Sequence, residues 1–165
     1  MSHHDHGVKE KLVQFVREAH AMETNTLMML QSLQKTTADG ELRAAIERHV
    51  AETRAQRGRL EGRLGALGAT PDKVKETGAV LGSIAKGVTD QVRPDKPGRN
   101  ARDAYVSEHL EIAAYELLIR IAERAGDAET AEVARTNLAE ERAMADAVAA
   151  SWDRVADQTL ASATT

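Results

Sequence analysis

Carboxylates interrupt the apolar lines of this sequence in four places, and at helical spacing. Glu23 stands on the line Val16, Ala19, Glu23, Leu27, Leu30. Glu108 stands on Ala101, Tyr105, Glu108, Ile112, Tyr115, Ile119, with Glu111 one turn on. Glu141 stands on Ala134, Leu138, Glu141, Ala145, Val148, Trp152. A fourth line, Leu42, Ala45, His49, Glu52/Thr53, Gln56, Leu60, has apolar ends and a polar centre. Steps of three and four put each set on one face of a helix. A carboxylate buried alone costs several kcal/mol even after relaxation. Several together repel one another and drive their pKa values upward. Cations remove that cost, and two divalent ions would use the oxygens as terminal and bridging ligands. His49 and Glu52 are three apart, so both can serve one site. The chemistry these residues could do is therefore metal coordination in an apolar interior.

Such a site needs rods to carry it, and the chain supplies them. Its three prolines, Pro71, Pro94 and Pro97, fall in one middle stretch. The long proline-free segments around it are rich in Ala, Leu, Glu, Arg and Met, which favour helix. The spacing predicts helices over 8–35, 41–67 and 99–125, and a fourth continuing to 158. Thr36 to Gly40 breaks the first from the second, Gly68 closes the second, and Gly126-Asp127 makes a tight turn. Turns this short force antiparallel neighbours within each pair. Residues 69–100 are long enough to travel the length of a bundle and hold an amphipathic piece at 74–92. Two antiparallel hairpins joined by one long crossover make an all-α four-helix bundle of ferritin-like connectivity. The expected domain is 8–158, with mobile tails at 1–7 and 159–165. A faint repeat, Val50-Ala51-Glu52-Thr53-Arg54-Ala55 against Leu138-Ala139-Glu140-Glu141-Arg142-Ala143, suggests a pseudo-twofold between the hairpins.

Composition excludes other chemistry. There is no cysteine, hence no thiol catalysis, disulfide or thiolate metal site. The formal charge is −4, which does not fit binding to nucleic acid by bulk charge. The only aromatics are Phe15, Tyr105, Tyr115 and Trp152, too few for a base-stacking platform. Gly58, Gly62 and Gly65 fall inside the second helix and form no phosphate-cradling loop. No apolar run reaches a membrane span, and the first residues lack the order of a signal peptide, so the cytoplasm is the expected compartment.

The sequence resembles the ferritin-like superfamily, and within it the small stress-associated bacterial ferritin-like proteins of unknown function. The residues that carry the resemblance are Ala19-His20-Ala21-Met22-Glu23, then His49 to Gln56 followed by Arg59-Leu60-Glu61. Glu108-His109-Leu110-Glu111 to Tyr115 and Ala139-Glu140-Glu141 complete it. The resemblance implies a four-helix bundle with a short crossover helix, a homodimer, and a centre for iron or manganese, with zinc as a further option. Carried over, Glu23, Glu52, Glu111 and Glu141 are the implied ligands, joined by Glu108 and His49, with Glu140 and His20 as substitutes. Ferritin-like oxidases carry Glu-x-x-His on two helices. Here Gln56, after Thr53, and Met144, after Glu141, stand where those histidines would be.

The function expected is a stress protein that binds one or two metal ions for metal handling or oxidant removal. Whether it is an enzyme is left open by the two replaced histidines. The alternative is a non-enzymatic bundle acting through dimerisation or partner binding. Its central acids would then pair with Arg54, Arg120 or Arg142 and hold no metal. Separately, Ser2-His3-His4 would chelate copper or nickel if Met1 is removed.

Overall fold

The computed structural model describes residues 3–72 and 96–161. Met1, Ser2 and the amphipathic piece at 74–92 lie outside the described residues. Five helices are found among them and no strand: α1 (His3–Thr36), α2 (Gly40–Ala66), α3 (Lys96–Arg124), α4 (Ala128–Ala149) and α5 (Trp152–Ala161). No described helix is long and apolar enough to cross a membrane.

The turns are where the residue types put them. Asp39 caps α2, its carboxylate accepting from the Leu42 amide at 2.8 Å. Gly68 and Gly126 carry positive φ angles of 75° and 72°, the left-handed conformation that glycine adopts without steric cost at helix C-termini. Asp127 then caps α4 through the Thr130 amide. The third helix begins at Lys96 rather than 99 and the last ends at Ala161 rather than 158, and two differences are larger. α1 is already helical at His3 rather than at residue 8. The fourth predicted helix is two: α4 stops at Ala149 and α5 begins at Trp152. Ser151 is the cause, a small polar residue at full burial. Its hydroxyl donates to the Val148 carbonyl at 2.7 Å, competing with the helical ladder, and its own carbonyl receives the Val155 amide.

The core is split in two. Leu27, Leu30, Leu33, Leu42, Ile46, Val50, Ala101, Ala104 and Val148 pack together at the end of the bundle where α1 turns into α2. Leu12, Val16, Leu60, Leu64, Leu118, Ala131, Ala134 and Leu138 pack at the end where α3 turns into α4. This assignment fixes the directions. α2 finishes at the second end and α3 starts at the first, so the two lie with their joined ends at opposite ends of the bundle, the arrangement of one-crossover bundles. α1 packs on α2 and α3, and α4 on the same two, so neighbours are antiparallel all round. Between the two apolar plugs lies a layer of buried polar side chains.

Arginines stitch the outside. Arg63 of α2 holds both Asp127 oxygens at 3.0 Å and the Thr130 hydroxyl at 3.0 Å. At the opposite end Arg154 of α5 donates to Asp39 at 2.8 Å. That bond first, and the Leu42 amide second, hold Asp39 below the usual carboxylate range. Asp39 thus joins the start of α2 to α5. Asp39→Ala should cost about 1 kcal/mol in urea unfolding, the usual loss of an N-cap. Arg154→Ala should cost less, and little further once Asp39 is gone, since only its exposed pair with Glu41 at 3.0 Å then remains; two full independent losses would contradict the shared contact.

Candidate metal centre

Each helix of the bundle feeds the polar layer from its innermost face. α1 contributes Glu23 and Thr26, α2 His49, Thr53 and Gln56, α3 Ser107, Glu108 and Glu111, α4 Asn137 and Glu141. All are at most 1% exposed. His49, Glu108, Glu111 and Glu141 each aim one ligand atom at a common point, with those atoms within 4.8 Å of one another. The His49 Nε2 lies 3.2 Å from Glu108 Oε2 and 3.2 Å from Glu141 Oε2.

The other implied ligands stand differently. Glu52 is half-exposed, and its Oε2 sits 2.9 Å from Nδ1, the outer nitrogen of His49. The reason is angular. At about 100° per residue, a step of three carries Glu52 some 60° round the helix from His49, toward the flank, while Thr53 and Gln56 stay near the centre line. Glu23 is fully buried but lies outside the group of four. Its Oε1 accepts from the Tyr115 hydroxyl. The two substitutes face elsewhere: His20 meets Glu61 at 3.0 Å and Glu140 pairs with Arg59.

Sequence reading missed Thr26, Ser107 and Asn137. Thr26 donates its hydroxyl to Glu111. Asn137 donates to the Tyr115 oxygen at 2.9 Å and accepts from Arg59 at 2.8 Å. The signal was available, since Thr26 is three residues from Glu23, and Asn137 four from Glu141. Gln56 donates to Glu141 Oε1 at 2.5 Å.

No arginine or lysine is buried among the described residues. Arg120 and Arg142 both pair with Glu116 on the outside, so neither neutralises the central acids; Arg54 is exposed. Burial pushes Glu23 and Glu111 well above the ordinary range, and in each the Glu141 charge adds to it. Burial also raises Glu108, to about 8. For His49, burial opposes the charged ring, but the facing Glu108 and Glu141 outweigh it and push the pKa up to about 11. Burial works against the Glu141 anion too, yet His49 and its carboxyl neighbours keep it below the ordinary range. Burial thus favours the protonated forms of Glu23, Glu108 and Glu111, while His49 and Glu141 favour the charged forms that face each other.

Whether a metal fits is answered by the atoms left over. Glu23 Oε2, His49 Nε2, both oxygens of Glu108, Glu111 Oε2 and Glu141 Oε2 are buried without a hydrogen-bond partner. Buried polar atoms are ordinarily satisfied. Most of these belong to the group of four and converge on its centre, and one imidazole with carboxylate oxygens is a donor set for a divalent transition ion. The set fits such an ion.

A family model described as a domain of unknown function, DUF892, matches residues 7–161. Among solved structures, a protein of Xanthomonas campestris superposes with a TM-score of 0.80 at 26% identity, covering 96% of this chain and 99% of that one. The E. coli stress protein YciF superposes at 0.70 and 18% identity, covering 96% and 98%. The Desulfovibrio desulfuricans bacterioferritin, a protein with a diiron site, superposes at 0.73 and 22% identity, covering 98% and 90%. The fold is that of the ferritin-like superfamily.

The protonated acids make the metal-free protein sensitive to base. Glu108 has a folded pKa of about 8, above its ordinary value of 4.5. Its stabilisation is present below the lower value and lost as pH rises toward the upper; Glu23 and Glu111 act in the same direction. Chelator-treated protein should therefore melt lower at pH 8 than at pH 5.5. Glu111→Gln should raise the melting temperature at pH 8 more than at pH 5.5, because it removes an acid that burial holds above its ordinary range. Unchanged or lower stability in that variant would mean the acid is not held against its charge.

Proposed function

The chain belongs to the DUF892 family, and with that membership as premise we propose that it binds iron or manganese in the bundle core. His49, Glu108, Glu111 and Glu141 are the ligands of this reading, and metal handling or oxidant removal under stress is its purpose. The observation that carries it is the convergence of unpartnered buried donors from three helices on one point. The diiron site of the bacterioferritin and the stress association of YciF support it.

The chain's own residues would do the positioning. Glu52 accepts the Nδ1 proton of His49, which leaves the Nε2 lone pair toward the ion. Thr26 anchors Glu111 and Gln56 anchors Glu141, each leaving one oxygen free. Glu108 meets only His49, at Oε2, and no residue outside the group anchors it, so it is the ligand most free to adjust. The apolar plugs above and below keep bulk water away. A bound ion would supply Lewis acidity and one-electron redox capacity. Oxygen donors with a single imidazole suit manganese and iron better than they suit softer ions.

One observation favours a metal-free core. A protonated His49 between Glu108 and Glu141 is itself a cation in the right place. It pairs with Oε2 of Glu108 and Oε2 of Glu141, yet leaves Glu108 Oε1 and Glu111 Oε2 without a hydrogen bond, and so accounts for less.

Elemental analysis of purified protein, followed by anaerobic Mn(II) or Fe(II) titration after chelator treatment, separates the two. Bound metal and a thermal shift are expected; at a hundredfold excess over Kd the stabilisation is about 2.7 kcal/mol. No uptake and no shift would end the metal reading. Glu52→Ala should weaken binding about 10- to 100-fold with the helix content intact, as loss of a histidine's outer partner does elsewhere.

A further inference from the structure

We infer that this centre holds one metal ion per chain, not two. The inference rests on the metal reading above and concerns what the first hairpin has done with the second position.

The group of four has the size of a single coordination shell. Bonds of about 2.1 Å put opposite ligands about 4.2 Å apart. Donor atoms within 4.8 Å of one another close round one ion with small movements. Two ions sit about 3.5–4 Å apart and each needs its own terminal ligands. Those for a second ion would have to come from Glu23, Thr26, Thr53 and Gln56, the remaining inward polar groups of α1 and α2, and Thr26 is already bound to Glu111.

These groups are already engaged. Thr53 donates its hydroxyl to the His49 carbonyl of its own helix at 2.8 Å. Gln56 turns its amide nitrogen, not its oxygen, toward Glu141 Oε1 at 2.5 Å. That N–H does for Glu141 what a second cation would do, and it is uncharged. Glu23 is held at Oε1 by Tyr115, which Asn137 fixes, and Asn137 is fixed by Arg59. On α4 the position of the second histidine is Met144, which packs in the apolar cluster with Leu30 and Val148. Outside the group of four, what remains is one oxygen of Glu23 and the neutral oxygen of Gln56, with the neutral Ser107 hydroxyl on α3. One carboxylate oxygen with two neutral oxygens is a poor donor set beside an imidazole with three carboxylates.

The test is a count. Chelator-treated full-length protein is loaded with Mn(II) under anaerobic conditions and desalted. Metal per chain is then read by native mass spectrometry and elemental analysis, with helix content by circular dichroism as the folding control. One manganese per chain is expected. Glu23→Gln should keep that ion with less than a threefold change in affinity, while Glu111→Gln should lose it. Gln56→Glu, which supplies the missing charge, should raise the count to two. Two ions in the unmodified chain, or loss of the ion in folded Glu23→Gln, would overturn the single-ion assignment. No ion in the unmodified chain would instead overturn the metal reading beneath it.

Discussion

Charge neutrality in a dry interior governs this molecule. Four carboxyl groups and one imidazole are buried in a layer only a few helical turns deep, closed at both ends by aliphatic side chains. At low dielectric, two unit charges of one sign a few ångströms apart repel by several kcal/mol, more than any single packing contact returns. The layer must therefore be neutral in every state the folded protein occupies. Without a metal, burial shifts Glu23, Glu108 and Glu111 toward their protonated forms, while His49 faces Glu141 and Glu108 as the cationic partner. A metal ion would achieve it by replacing protons, so uptake and proton release are two descriptions of one exchange.

The rest of the architecture serves this exchange. Leucines and alanines at the two ends supply the hydrophobic stabilisation that lets the middle be polar. The hydrogen bonds of the layer restrict where carboxylates can point without neutralising them. Thr26, Gln56 and Tyr115 each hold one oxygen of an acid and leave the other open. Half-satisfied networks are destabilising in an ordinary core, and here Glu111 and Glu141, with an oxygen left open on each, belong to the group of four. Arg59 and Arg63, the cations best placed to enter from α2, are drawn outward instead by Glu140, Asp127 and Glu129 on α4. The outer ion pairs thus keep competing positive charge away from the acids.

Much of this was legible in the sequence. The apolar lines found all the helices of the bundle, and the acids on those lines are the buried ones: Glu23, Glu108, Glu111 and Glu141 each have no exposed surface. A carboxylate between leucines at helical spacing is a strong signal because nothing but a core function keeps it there. The resolution failed at one residue of angle. Glu52 and Thr53 share a turn, and a line drawn through either fits the pattern; only packing decides that Thr53 faces in and Glu52 grips His49 from outside. Small polar residues were harder still. Thr26, Ser107 and Asn137 carry no charge whose burial must be explained, so they pass for ordinary helix-surface residues. The break at Ser151 was hidden for a related reason, because no proline or glycine marks it.

The two hairpins then differ in a way that bears on their ancestry as ligand carriers. A pseudo-twofold would pair Glu23 of α1 with Glu111 of α3, and Thr53 and Gln56 of α2 with Glu141 and Met144 of α4. The second hairpin supplies three carboxylates and no imidazole; the first supplies one imidazole, one tied carboxylate and neutral hydrogen-bonding groups. His49 sits one turn before Thr53, as Glu108 sits one turn before Glu111, and these two meet across the bundle. Each hairpin thus carries one donor a turn nearer the α1–α2 end, beside Glu111 and Glu141. An arrangement of that kind concentrates ligands around one point and vacates the other. Ligand number alone would not distinguish this from a loose two-ion site. The Gln56 amide does, since a neutral donor facing Glu141 satisfies the same oxygen without adding charge, and a second cation would have to expel it.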